Sequence, residues 1–375
     1  MLAAQSEAKG EQRDACSDAD QAVAARDWES ARSLYAACLA SGPPRFEILS
    51  NQGMVFTQLG LMPEATESYR KALALSPGNS KVEFNLAVAF VKEGNFKAAV
   101  DHLTHLRKVE PDEVRVQELL AFSYYHLGRY SLAAREAERV NKLQPDNAGN
   151  ELILGSAYTR LGLYEQALPL VTAALKSAGS AEGHLIMGET LLGLRLYRPA
   201  LDELTQAAAL QADLPGLHSA LGVGNIGLGN SENAVAEFQK ALEADPNDYQ
   251  ANYYLGRVKR LAGDTIAARK FLDRASQLRP GMSEVEFELA AVEMAAQNYA
   301  KAEPLLTRVL QQQPDHRDAH FLLAKIYLKQ GRREEAQKER EIFEKLAKAE
   351  QDKTAKEDLG RGDGSQTSDA GPKDR

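Results

Sequence analysis

The feature that most constrains this chain is an internal repeat. Alanine returns at Ala31, Ala65, Ala99, Ala133, Ala167, Ala200, Ala234, Ala268, Ala302 and Ala336, every 34 residues apart from one step of 33 between Ala167 and Ala200. Proline keeps the same frame at Pro43, Pro77, Pro111, Pro145, Pro246, Pro280 and Pro314, and glycine at Gly60, Gly94, Gly128, Gly162, Gly229, Gly263 and Gly331. Twelve residues ahead of each alanine lies a second small residue, Ala19, Gly53, Ala87, Ala121, Gly155, Gly188, Gly222, Gly256, Ala290 or Ala324. Three residue types in one register exclude chance. A period of this length belongs to stacked units, each of which buries its apolar face on the next.

Each recurring residue has a physical role. Proline cannot continue a helix, so it ends the second helix of a unit. Asp112, Asp146, Asn247 and Asp315 follow those prolines, in position to cap the next helix. Ser80 with Glu83, and Ser283 with Glu286, have capping-box spacing. The glycine falls between two helices, where a left-handed residue ends the first. The alanine marks a helix crossing, where a larger side chain would separate the backbones. Two antiparallel helices per period predict an all-α fold of about 20 helices without a sheet.

The pattern resembles the tetratricopeptide repeat (TPR) family. Residues 46–79 carry it as Gly53, Phe56, Gly60, Ala65, Tyr69, Ala72 and Pro77. The repeats read 12–45, 46–79, 80–113, 114–147, 148–180, 181–214, 215–248, 249–282, 283–316 and 317–350. The resemblance implies a right-handed superhelical solenoid of about ten TPR helical hairpins. Residues 1–11 are expected to form a flexible N-terminus. Residues 351–375 would hold the end of a charged C-terminal helix and a tail disordered from Gly360 onward. The family's early tryptophan is absent; Leu49, Glu83, Gln117, His184 and His218 stand there, so the first helix is expected to begin less tightly packed. The last repeat places Arg340 where others have Phe238, Leu272 and Leu306, as an end unit without a neighbour requires.

Net charge is −8 with a pI of about 5.6, which argues against a general nucleic-acid binder. No run of 18 apolar residues predicts a membrane span. The start lacks a basic stretch, so a cytoplasmic location is expected; a periplasmic or secreted one would follow if a signal peptide had been trimmed. The two cysteines, Cys16 and Cys38, decide neither way. Cys38 takes a packing position filled elsewhere by Ala72 and Ala241, so it reads as core. Gly222, Gly224 and Gly227 match the dinucleotide fingerprint, but inside a helical segment without the preceding strand. His184, His218 and His320 recur at one repeat position, too far apart for one metal site, and His316 with His320 lacks a further ligand. Arg361-Gly362-Asp363 spells an adhesion tripeptide in the tail. No catalytic, cofactor or metal site is expected.

By the resemblance, the first helix of each repeat lines a groove. Repeat three then presents Lys81, Phe84, Asn85 and Lys92, repeat four Arg115, Phe122, Tyr125 and His126, and repeat five Arg160. The four cations suit an extended protein segment with carboxylates, and the aromatic rings suit its apolar side chains. The family's five-residue clamp for a C-terminal carboxylate is matched only by Asn51 and Lys81. The expected function is a non-catalytic scaffold or adaptor that binds protein segments. The alternatives are an accessory subunit presenting substrates to a separate enzyme, and an assembly factor for an envelope or secretion complex. Gly224 and Gly227 are surplus to the pattern, so a hinge is expected near 215–229. Lys259 and Glu293 replace an aromatic; they are expected either to pair across the stacking interface or to leave Lys259 snorkelling to water.

Overall fold

A computed structural model describes residues 15–362, with the side chains of 16–352. The expectations for residues 1–11 and for most of the tail fall largely outside that span. The described residues form twenty helices and no strand, and they divide into two units, Met1–Gln211 and Ala212–Arg375. The first holds six hairpins: α1 (Ala15–Ala24) with α2 (Trp28–Ala40), α3 (Phe46–Gln58) with α4 (Met62–Leu75), α5 (Ser80–Lys92) with α6 (Phe96–Val109), α7 (Val114–His126) with α8 (Tyr130–Leu143), α9 (Ala148–Arg160) with α10 (Tyr164–Ser177), and α11 (Ala181–Gly193) with α12 (Tyr197–Leu210). The second holds four: α13 (Leu217–Gly227) with α14 (Ser231–Ala244), α15 (Tyr249–Leu261) with α16 (Thr265–Leu278), α17 (Ser283–Ala295) with α18 (Tyr299–Gln312), and α19 (Arg317–Lys329) with α20 (Arg333–Gly362).

The recurring small residues sit where the two helices of a hairpin cross. All ten alanines of the repeat are buried. A Cβ added at Gly53 would lie 2.7 Å from the Tyr69 ring, and one at Gly222 2.5 Å from that of Phe238. The glycines between helices adopt the left-handed conformation, as at Gly60 and Gly229. Repeats one, six and nine put Arg26, Arg195 and Gln297 in the same turn with positive φ, so the hairpin imposes the turn even without glycine.

Several local expectations are corrected. The helix caps come one residue later than expected: Asn147, Asp248 and His316 accept from the backbone of the next helix, rather than Asp146, Asn247 and Asp315. Ser80 and Ser283 are first helical residues, not caps; Asn79 caps α5. Glu83 and Glu286 are thereby free to reach the second helix, Glu83 to His102 and His105, Glu286 to Arg308. This same position, the vacated tryptophan site, does not loosen the first helix. His184 reaches Glu203 at 2.7 Å and His218 reaches Glu237 at 2.6 Å, and His320 meets Glu339. A polar clasp replaces an aromatic wedge. Glu293 pairs with Arg269 and Asn298 rather than with Lys259, because α16 supplies the facing side chain.

Cys38 is buried as expected, yet it is not a lone core thiol. It forms a disulfide with Cys16, their Cα atoms 5.0 Å apart, within a cluster that includes Ala19, Ala31, Tyr35 and Val55. Gly222–Gly227 lies inside α13, so the fingerprint glycines have no phosphate-binding turn. In α20 the charged helix runs to Gly362, two residues past the expected onset of disorder, and Arg361 and Gly362 of the tripeptide are helical. Among the described residues no helix is long and apolar enough to cross a membrane.

Candidate functional site

The predicted groove residues lie on the first helices of hairpins three, four and five. On α5, Lys81, Phe84, Asn85 and Lys92 are spaced by three, four and eleven residues, which returns them to one helix face. Lys81 and Lys92 are exposed and make no ion pair among the described residues. Roughly 16 Å of helix separates them, from a rise of about 1.5 Å per residue. Phe84 and Asn85 are half-buried between them.

The guanidinium of Arg115 on α7 stacks 5.0 Å from the centre of the Phe84 ring, and its Nε donates to Glu113 at 2.9 Å. The stacking holds a cation against an aromatic floor. Further along α7, Phe122 and His126 approach to 4.3 Å between ring centres, one helical turn apart. Phe96 from α6 stacks on His126 at 4.6 Å. Tyr125 meets His126 at 5.6 Å and Tyr130 at 5.5 Å. Partial burial among these rings pushes the His126 imidazole below its ordinary value.

Arg160 ends α9. It does not act as a free cation, because Glu189 of α11 faces it at 3.1 Å. Burial disfavours its charge, but Glu189 and then Tyr125 more than offset this and hold the guanidinium above its ordinary value. Burial in turn pushes the Glu189 carboxyl up, with Arg160 pulling it back. The structure thus joins Phe84 to Arg115, and Phe122, Tyr125 and Arg160 into one aromatic cluster. It leaves Lys81 and Lys92 as the open cations. Phe96, Tyr130 and Glu189 were not anticipated. A signal for the first two was present, since an aromatic opens the second helix of successive repeats at Phe96, Tyr130, Tyr164 and Tyr197.

Models of the tetratricopeptide repeat match this chain at residues 56–121 and 293–355, and at 18–80 and 220–283. The chain belongs to the tetratricopeptide repeat family. Among curated proteins it is similar to anaphase-promoting complex subunit 3 of Schizosaccharomyces pombe, 31% identical over 107 residues, which are 28% of this chain and 16% of that protein. It is also similar to superkiller complex protein 3 of Mus musculus, 29% identical over 114 residues, covering 28% of this chain and 7% of that protein. Only a small part of each relative is therefore matched. Among solved structures, a tetratricopeptide repeat protein from Parabacteroides merdae aligns with a TM-score of 0.52 and 16% identity over 66% of this chain and 98% of its own. The human IFIT1 dimer with m7Gppp-AAAA aligns with a TM-score of 0.50 and 17% identity over 88% of this chain and 80% of its own. At these identities the likeness is one of fold.

Proposed function

We propose that this TPR protein is a non-catalytic scaffold that holds an extended segment of a partner protein against α5, α7 and α9. The observation that carries this reading is the aromatic cluster of Phe96, Phe122, Tyr125 and His126 beside the Arg115–Phe84 stack. Stacked rings offer a rigid, amphipathic surface at low entropic cost, as interface anchors do. The segment would place an apolar or aromatic side chain on these rings and carboxylates at Lys81 and Lys92. Arg160 supports the wall through Tyr125 rather than receiving a ligand charge, because Glu189 already neutralises it.

The disulfide bears on where such a scaffold works. Buried Cys16 and Cys38 are the chain's only cysteines, and they face each other across one hairpin. Disulfides persist in oxidising compartments and are rare in reducing cytosol. This favours a periplasmic or extracellular setting over the cytoplasm.

Selection of displayed random peptides against the chain tests the groove. Enriched sequences should combine an aromatic residue with acidic neighbours, and the variant Lys81→Glu with Lys92→Glu should weaken their binding. Enrichment without an aromatic or acidic preference, or affinity unchanged by the charge reversal, would refute the reading.

A further inference from the structure

The second unit carries an aromatic ladder of its own. Tyr253 on α15, Phe287 on α17 and Phe321 on α19 hold one repeat position in three successive hairpins, 34 residues apart. These first helices run in the same direction, and α17 packs against both α15 and α19. Packed helices lie about 8–10 Å apart, so the ladder has a step of that size. Tyr253 and Phe287 are half-buried, and Phe321 is 39% exposed. Another ring braces each of them. Tyr249 lies nearly parallel to Tyr253 at 6.3 Å, His316 meets Phe287 at 4.7 Å, and Phe343 of α20 meets Phe321 at 5.1 Å.

The surroundings say what such rings would take. Charge does not select the ligand, because α15 carries only basic charges and α17 only acidic ones, and they meet: Glu288 receives both Arg257 and Arg260. A donor, however, is left open. The Tyr253 hydroxyl makes no hydrogen bond among the described residues, and it is not among the polar atoms shut off from solvent. A ligand for this surface therefore presents an apolar face every 8–10 Å and a free carbonyl. A β-strand repeats its face every two residues, about 7 Å, which is too short. An α-helix repeats its face after seven residues, about 10.5 Å, but its carbonyls are spent on its own hydrogen bonds. A polyproline II helix repeats every three residues, about 9.3 Å, and has no internal hydrogen bonds. Proline also lacks the N–H, so such a segment offers carbonyls alone.

We infer that the ladder of Tyr253, Phe287 and Phe321 is a second protein-binding surface, which takes a proline-rich segment in the polyproline II conformation. Prolines at every third position lie on the three rings, and the Tyr253 hydroxyl donates to a carbonyl between them. The segment is already extended when free, so little chain entropy is lost on binding. This surface differs in chemistry from that of the first unit, where Lys81 and Lys92 call for carboxylates, and neither reading depends on the other.

Fluorescein-labelled peptides of about ten residues, long enough to cross the three rings, test this by anisotropy titration with the full chain. An oligoproline peptide should bind. A Gly-Ser peptide of equal length should not, and an alanine-rich helical peptide should bind at least tenfold more weakly. High salt should leave the complex unchanged, because no ion pair holds it. Tyr253→Phe keeps the ring and removes only the donor, and it should lose roughly three- to tenfold in affinity, the scale of one hydrogen bond. Phe321→Ala should lose roughly tenfold at unchanged helicity. The variant Lys81→Glu with Lys92→Glu should bind oligoproline as the parent does, so the two readings fail separately. Absence of oligoproline binding, equal binding of the Gly-Ser or helical peptide, or preference for a single-stranded RNA oligonucleotide would overturn the proposal. So would loss of the complex at high salt, or full affinity in either ring variant.

Discussion

Removing the Cys16–Cys38 disulfide should release one hairpin and leave the rest of the stack in place. The bond spans 22 residues and joins α1 to α2. Closing a loop of that length removes chain entropy from the unfolded state, worth about 3 kcal/mol at room temperature. A tenfold change in an equilibrium corresponds to about 1.4 kcal/mol, so the opening constant of hairpin one should rise roughly 150-fold. In a repeat protein the effect stays local, because each unit contacts only its neighbours. The double variant Cys16→Ala with Cys38→Ala is the suitable perturbation, since alanine fills the same packing position as Ala72 and introduces no buried polar group. Hydrogen exchange followed by mass spectrometry reads the outcome. Amides of α1 and α2 should exchange faster by about two orders of magnitude, and those of α5 to α9 should not change. A change below tenfold in hairpin one would mean that the cluster around Tyr35 and Val55 holds it without the bond. Equal loss of protection throughout would refute local behaviour.

Other expectations follow from the same contacts. Gly222→Ala drives a Cβ to 2.5 Å from the Phe238 ring, so it should destabilise α13 and α14 by about 1–2 kcal/mol despite better helix propensity; a stabilised protein in urea denaturation would contradict this. Burial depresses the His126 imidazole, so the unfolded chain takes up that proton first. Its neutral form costs nothing above the ordinary imidazole value, and destabilisation grows as pH falls below it. Protection of α7 should therefore weaken on acidification, and His126→Phe should remove the dependence while keeping the stack; an unaltered pH profile in that variant would assign the effect elsewhere. Lys81→Glu and Lys92→Glu should each weaken binding of a selected acidic peptide roughly three- to fivefold, the scale of an exposed ion pair, measurable by anisotropy titration. Gly224 and Gly227 lie in α13, so amides of 217–228 should exchange faster than those of 151–162; equal rates would show that packing overrides the glycines.

What was legible in the sequence is what short-range rules govern. Proline and glycine act on their own backbone, and alanine acts by lacking a side chain, so their spacing alone determined ten hairpins and located each crossing. That Lys81, Phe84, Asn85 and Lys92 share one face of α5 was legible for the same reason, since spacing of three, four and eleven on a helix sets a common face. Side-chain partnership was not legible, because it depends on which residue of another helix faces a given group. Arg160 looked like a free cation until Glu189, 29 residues on, was found opposite it. Lys259 and Glu293 share a repeat position, yet Arg269 on the intervening helix reaches the carboxylate first. The tryptophan site looked vacant, but its histidines meet partners 19 residues later on the returning helix, and its glutamates meet theirs 19 or 22 residues later. Cys16 and Cys38 carry no spacing signal of their own; only the crossing of α1 and α2 brings their Cα atoms to 5.0 Å, close enough to bond.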